Sequence, residues 1–200
     1  MGNKRDKGFF VYFCLQIRLY NDMKLLKTAL YTILGTILLY IGICVIAPIS
    51  FGTNKSIVIN APASVVFQQV ADFNNWSAWS PWKKNDPEMT ATFAGTPGAI
   101  GHQMTWKSKK EGNGMQEIVE LQPDASLKLG LHFSNDPNEV FYSNWKFEGD
   151  STNTKVTWDM DSGTLPFMAR GLAFIFNMKG TMAVYYDQGL KALKQVTEAK

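Results

Sequence analysis

The feature that most constrains this chain is a gap in its charge. Between Lys27 and Lys55 there is no Asp, Glu, Lys or Arg, and inside that gap residues 28–46 read TALYTILGTILLYIGICVI, followed by Ala47 and Pro48. At ~1.5 Å per residue this stretch spans roughly 29 Å as a helix, close to the ~30 Å hydrocarbon thickness of a bilayer. A helix satisfies its own backbone polar groups there, and Pro48 is a natural stop at the far side. A buried core helix or a cleaved signal peptide would use a similar sequence. However, signal peptides have shorter apolar regions and a small-x-small cleavage site, and the bulky Ile43 before Cys44 argues against lipoprotein-type processing. The expectation is an uncleaved transmembrane anchor over 28–48.

Flanking cations set the expected orientation. Lys4, Arg5, Lys7, Arg18, Lys24 and Lys27 precede the span, whereas only Lys55 follows it closely. The amino terminus is therefore expected on the cytoplasmic side and the domain after residue 54 on the periplasmic or other extracytoplasmic side. Residues 1–27 read as a cytoplasmic basic segment. Within it, residues 9–13 (FFVYF) are too short a run to span. Met23-Lys24-Leu25-Leu26-Lys27 resembles an ordinary start of an anchor, so the upstream 22 residues read as a weakly structured extension or as lying before the true start.

The net charge of +3 does not point to a nucleic-acid partner once it is located. The six cations before residue 54 face only Asp6 and Asp22. The remainder holds 14 basic and 15 acidic groups, a balance of −1 with no polyanion-binding excess. With 46% hydrophobic and 18% charged residues the chain is too apolar to be disordered, and 200 residues suffice for one sizeable domain with an appendage. Two cysteines and two histidines lack the spacing of a structural metal site, and Cys14 and Cys44 both precede the globular part, which can hold no internal disulfide. No metal or cofactor is expected.

Along the globular part, residues 55–60 (KSIVIN) read as a strand ended by Asn60-Ala61-Pro62. Val65, Val66, Phe67, Val70 and Phe73 then recur at helical spacing. Trp76, Trp79 and Trp82 stand three apart before and after Pro81, which suggests a second short helix. From residue 88 the period becomes two. Six strands are expected at 89–94, 103–108, 115–122, 126–133, 139–148 and 155–160, with separators rich in Gly, Pro, Asn and Asp that suit an antiparallel meander. The phase of 115–122 is ambiguous because Ile118 and Val119 are both apolar. Residues 166–196 turn helical again, with a break or kink expected at Gly180.

The fold class is therefore α+β: one curved antiparallel sheet wrapped around a long carboxy-terminal helix, preceded by a transmembrane helix. Such a sheet leaves room against its helix unless large side chains fill it. The expected cavity lining is Met104, Trp106, Leu131, Phe133, Trp145, Trp158 and Met160 from the sheet, with Phe167, Phe174, Met178 and Met182 from the helix. Methionines adapt to irregular fillings.

Several motifs support a family likeness: the strand followed by Ala61-Pro62-x-x-Val65-Val66-Phe67, then Asp72-Phe73-x-x-Trp76-x-x-Trp79-x-Pro81. Gly101 with Trp106, Gly112-x-Gly114, Thr154-x-Val156-Thr157-Trp158 and the closing Gly189-Leu190-Lys191-x-Leu193-Lys194 extend it. Residues 54–198 resemble the SRPBCC superfamily, the START-related and polyketide cyclase/dehydrase-like helix-grip domains. The resemblance implies an apolar tunnel for a hydrophobic small molecule or lipid. It transfers no particular activity.

Chemistry-bearing side chains are sparse. His102 and His132 are the available general bases; His132 is out of phase with Leu131 and Phe133, and His102 reads as a solvated loop-edge histidine. Asp159 and Asp161 should face outward. Glu117 would reach the cavity in one strand phase and solvent in the other, and Arg170 would suit an anionic head group or simply a wet helix face. The spaced glycines Gly95, Gly98 and Gly101 lack the pattern and the following helix of a phosphate loop. The tryptophan set reads as packing more readily than as a stacking platform. Three readings stand: a membrane-tethered module binding a hydrophobic small molecule or lipid; a cyclase, dehydratase or hydrolase using Glu117, His102 or Arg170; and a packed interaction domain with no tunnel.

Overall fold

The structure is a computed structural model that describes the backbone of residues 4–133 and 140–199, and side chains from residue 22 onward within those limits. The first helix, α1 (Lys4–Ile46), runs without interruption from the amino-terminal segment through the charge-free stretch. The extension expected to be weakly structured is thus helical from Lys4. Once a helix exists, each further residue adds a hydrogen bond without a new nucleation cost. The helix ends where Pro48 disfavours helical dihedrals at the residue before it. Residues 22–46 form a helix long and apolar enough to cross a membrane, with a mean hydropathy of 2.3 over its most apolar 18 residues.

Strand β1 (Gly52–Ile59) follows, then α2 (Ala63–Ala71), a 3₁₀ helix (Phe73–Ala78) and α3 (Pro81–Asn85). The Asp72 carboxylate caps the 3₁₀ helix by accepting from the Asn74 backbone N–H at 3.0 Å. Six strands come next: β2 (Thr90–Ala94), β3 (Gln103–Lys107), β4 (Gly114–Gln122), β5 (Ser126–His132), β6 (Phe141–Gly149) and β7 (Thr154–Asp161). The turn expected at 135–138 lies outside the described residues. All seven strands form one antiparallel sheet in the order β1-β7-β6-β5-β4-β3-β2. The phase ambiguity in β4 has a structural cause. A register shift between Ile118 and Glu120 leaves Val119 unpaired, so Ile118 and Leu121 both pack on the core although three residues apart.

The single long carboxy-terminal helix expected from periodicity is two helices, α4 (Phe167–Ile175) and α5 (Met178–Glu198). The break falls at Asn177, not at Gly180. Asn177 takes a left-handed conformation (φ 46°) and its side-chain carbonyl accepts from the Gly180 N–H at 3.3 Å, capping α5. Asn tolerates this region better than most residues, and its own amide supplies the cap. Helix α5 buries Tyr186, Gly189, Leu190, Leu193 and Thr197 against the sheet, a helical stripe. At Gly189 a Cβ would come within 2.8 Å of the Trp158 ring, so glycine is what lets α5 approach the indole.

The core is aromatic. Trp145 and Trp158 stack at 4.1 Å, and Trp158 stacks on Tyr186 at 3.8 Å. Trp76 and Trp79 lie 4.6 Å apart, and both donate their indole N–H groups inward, to the Val70 and Gln69 carbonyls. The tryptophan set is therefore principally packing, with the indole N–H groups of Trp76 and Trp79 satisfied and that of Trp145 buried without a partner among the described residues.

Both the apolar helix and the segment that follows it are tied to the domain. The Leu165 N–H donates to the Ile49 carbonyl, and Ser162 exchanges hydrogen bonds with the Phe51 backbone. Farther back, the Tyr40 hydroxyl donates to the Met168 carbonyl at 2.6 Å, and Cys44 is fully buried beside Gly171. A Cβ at Gly171 would meet the Cys44 sulfur at 2.5 Å, so α1 and α4 pack at closest approach there.

Candidate ligand-binding cavity

Between the sheet and the α4–α5 pair lies a cavity of about 590 Å³. That falls inside the ~300–1,000 Å³ range of small-ligand pockets. Its floor is one transverse row of the sheet, set by register: Met104 pairs with Gln116, Gln116 with Leu131, and Leu131 with Phe141. Ser143 and Met160 form the next row. The roof is Ala169, Leu172, Ala173 and Phe176 at one end and Met178, Thr181, Met182 and Tyr185 at the other. Trp76 and Trp82 close a side. The lining mixes aromatic rings with flexible thioethers, small residues and aliphatics. Trp158 and Tyr186 bound it where the stacked core begins.

Its polar groups are few. Gln116 is only 3% exposed, and its Nε2 has no hydrogen-bond partner among the described residues. Buried donors are normally paired, so this amide is a feature to explain. The Ser143 hydroxyl accepts from the Trp158 indole N–H at 2.7 Å. Burial pushes the neighbouring Tyr186 phenol far above the ordinary tyrosine range, outweighing its hydrogen bond to Ser143, so this group is neutral near pH 7. At the rim the Tyr185 hydroxyl donates to Glu111 at 3.3 Å.

At residues 51–198 the sequence matches the family described as polyketide cyclase / dehydrase and lipid transport. The chain belongs to that family. Solved structures agree on the helix-grip fold. A protein from Mesorhizobium loti superposes with a TM-score of 0.53 at 15% identity, covering 74% of this chain and 98% of its own. One from Thermobifida fusca gives 0.52 at 20% identity, covering 73% and 92%, and one from Chromobacterium violaceum 0.50 at 14%, covering 74% and 96%. Identities this low carry the fold alone. Comparison with curated proteins finds no match.

In this polyketide cyclase/dehydrase family member, Met104, Trp106, Leu131, Phe133, Trp158, Met160, Met178 and Met182 line the cavity. Three expected lining residues do not. Trp145 is fully buried in the stack beyond the cavity, because it sits opposite Trp158 and is covered by it. Phe167 and Phe174 stand on the outer face of α4, 41% and 53% exposed, because the break at Asn177 resets the helical phase on which their inward placement depended. Gln116, Trp76, Trp82 and Phe176 were not anticipated. For Gln116 the signal was its i, i+2 relation to Ile118, which the bulge obscured.

The candidate acid–base residues lie elsewhere. His102 is not solvated: it is 1% exposed, stacked on Phe73 at 4.6 Å, with Nε2 accepting from the Phe73 N–H and Nδ1 donating to the Ala94 carbonyl. Both ring nitrogens are used for structure, since a loop crossing two elements leaves backbone groups that only an imidazole at this point bridges. Glu117 faces the sheet's outer side, accepting from the Gln103 amide at 3.0 Å with His132 3.9 Å away. Asp159 also takes the outer face, accepting from Asn144. The Arg170 Nε donates to the Leu165 carbonyl. None of these side chains reaches the cavity.

Proposed function

We propose that this protein is a membrane-anchored helix-grip domain that holds a hydrophobic small molecule or lipid between its sheet and the α4–α5 pair. The observation that carries the reading is a cavity of about 590 Å³ with a mainly apolar lining beside a close-packed aromatic core. An empty apolar space forfeits dispersion contacts on all its walls, a cost that a guest removes. The family description, which includes lipid transport, agrees with such a guest. The apolar helix over residues 22–46 supports the anchor, and the six cations preceding it favour a cytoplasmic amino terminus with the domain across the membrane. Tethering keeps the cavity at a high local concentration of bilayer components.

The cyclase, dehydratase or hydrolase reading loses support, because Glu117, His102 and Arg170, on which it rested, all lie outside the cavity. Tyr186 does not replace them as a base, since its phenol stays protonated near neutral pH. Organic extraction of the full chain purified from membranes, followed by mass spectrometry, tests the binding reading. A stoichiometric amphiphile is expected. An extract identical to a protein-free detergent blank overturns it.

A further inference from the structure

Helix α4 (FMARGLAFI) is apolar on every face, with Arg170 its one charged or polar side chain. A helix of this kind is normally buried in a large core or in lipid. Here one side roofs the cavity and another packs on α1, yet Met168, Leu172, Phe174, Ile175 and Phe176 remain exposed, from 49% at Ile175 to 66% at Phe176. Large apolar side chains left exposed together on one helix mark an interaction site. Its neighbour identifies the occupant. The contacts from α4 to α1 fall at Tyr40 and Cys44, before the end of the apolar helix at Ile46. Six residues of helix measure about 9 Å, which is the ~5–10 Å depth at which interfacial helices lie below the headgroups. On α1, Ile41, Val45 and Ile46, neighbours in sequence of the contact residues Tyr40 and Cys44, are exposed as well. Arg170 suits this position too, since a long stem runs along apolar surface while the guanidinium reaches headgroup or water.

We propose that α4 lies in the acyl-chain and headgroup boundary of the bilayer that α1 crosses, so that the cavity opens into the membrane and not into water. Leu172 and Phe176 connect the two surfaces: each lines the cavity, each is exposed over half its area or more, and each stands on the helix that exposes Met168, Phe174 and Ile175. They form the threshold that an amphiphile crosses, its chains never leaving an apolar environment. This deepens the binding function proposed above and rests on its membrane anchor, but it is tested separately from ligand retention.

The test uses the full chain with Cys14→Ser, reconstituted in phosphatidylcholine–phosphatidylglycerol vesicles. An NBD fluorophore is attached at Phe176→Cys, at Phe174→Cys, or at Thr152→Cys in the β6–β7 turn at the opposite end of the sheet. Labelling of the cysteine-depleted parent at the buried Cys44 is subtracted. Vesicles carrying a spin label high on the acyl chain should quench the fluorophore at 174 and 176 roughly twofold or more, with blue-shifted emission, and leave that at 152 unaffected. Unquenched, water-like emission at both 174 and 176 overturns the proposal. Shielded emission without lipid quenching, accompanied by crosslinking between copies, also overturns it, in favour of a second copy covering α4. Lipid quenching at 176 in a protein that yields no extractable amphiphile leaves α4 in the bilayer and removes the ligand reading instead.

Discussion

The two ends of the space between the sheet and α5 use the same elements and are filled in opposite ways. Away from α1, the Trp145, Trp158 and Tyr186 rings stack at 4.1 and 3.8 Å, and Ile59, Val156, Leu190 and Leu193 are fully buried around them. Next to α1, Met104, Gln116, Leu131 and Met160 face Thr181 and Met182 across open space. Stacked rings in van der Waals contact exclude a guest, whereas at the open end edge-to-face rings alternate with thioethers and a lone amide around a gap. The closed end holds the fold together, and the open end spends that stability on a cavity.

Removing the stack should have the largest effect. Trp158→Ala is expected to cost about 3–5 kcal/mol in denaturant unfolding of the full chain in detergent. A loss under about 1 kcal/mol would show that the closed end is not the stabilising half. Filling the open end should do the reverse. Ala173→Trp is expected to change unfolding by less than about 1.5 kcal/mol while abolishing extractable amphiphile, so equal extraction from variant and parent would contradict a ligand-holding cavity. Gln116→Leu is smaller still. By deleting an unpaired buried donor it should stabilise the delipidated protein by about 1 kcal/mol, and a loss of similar size would reveal a partner for that amide.

The smallest effect concerns pH and lies outside both ends. The Ser108 hydroxyl donates to buried Asp86 at 2.6 Å and holds its carboxyl below the usual carboxylate range, despite the opposing effect of burial. Because the folded pKa is depressed, this contribution is present above the unfolded value of about 3.9 and is lost as pH falls through the folded value. Ser108→Ala should therefore show a shallower drop in Tm between neutral and strongly acidic buffer. An identical drop in both proteins would remove Asp86 from the acid transition.

Much of the architecture was legible because it rests on local chemistry. The charge gap, the change of period near residue 88 and the Gly/Asn/Asp separators mark the apolar helix and the meander without any tertiary knowledge. Misplacements came where a single residue changed the phase. Asn177 divides a helix whose apolar spacing runs through unbroken, and so carries Phe167 and Phe174 outward. Val119 bulges out of β4, hiding Gln116 on the inner face. His102 shows the same limit: nothing in Gly101-His102-Gln103 foretells that two backbone groups, at Phe73 and Ala94, converge on its ring.

Hydropathy and periodicity alone determine that this chain has one apolar helix, a curved antiparallel sheet and a helical carboxy terminus, since burying alternate or every third to fourth side chain is a local demand on spacing. Whether the space enclosed is filled or hollow is not local. It depends on how side chains far apart in the chain, such as Trp158 with Trp76 or Phe51 with Ala169, meet across the interior, and on how far α4 is drawn toward α1 by Gly171 and Cys44. Only the tertiary structure sums those volumes, and the difference between the sum and the enclosed space is the cavity.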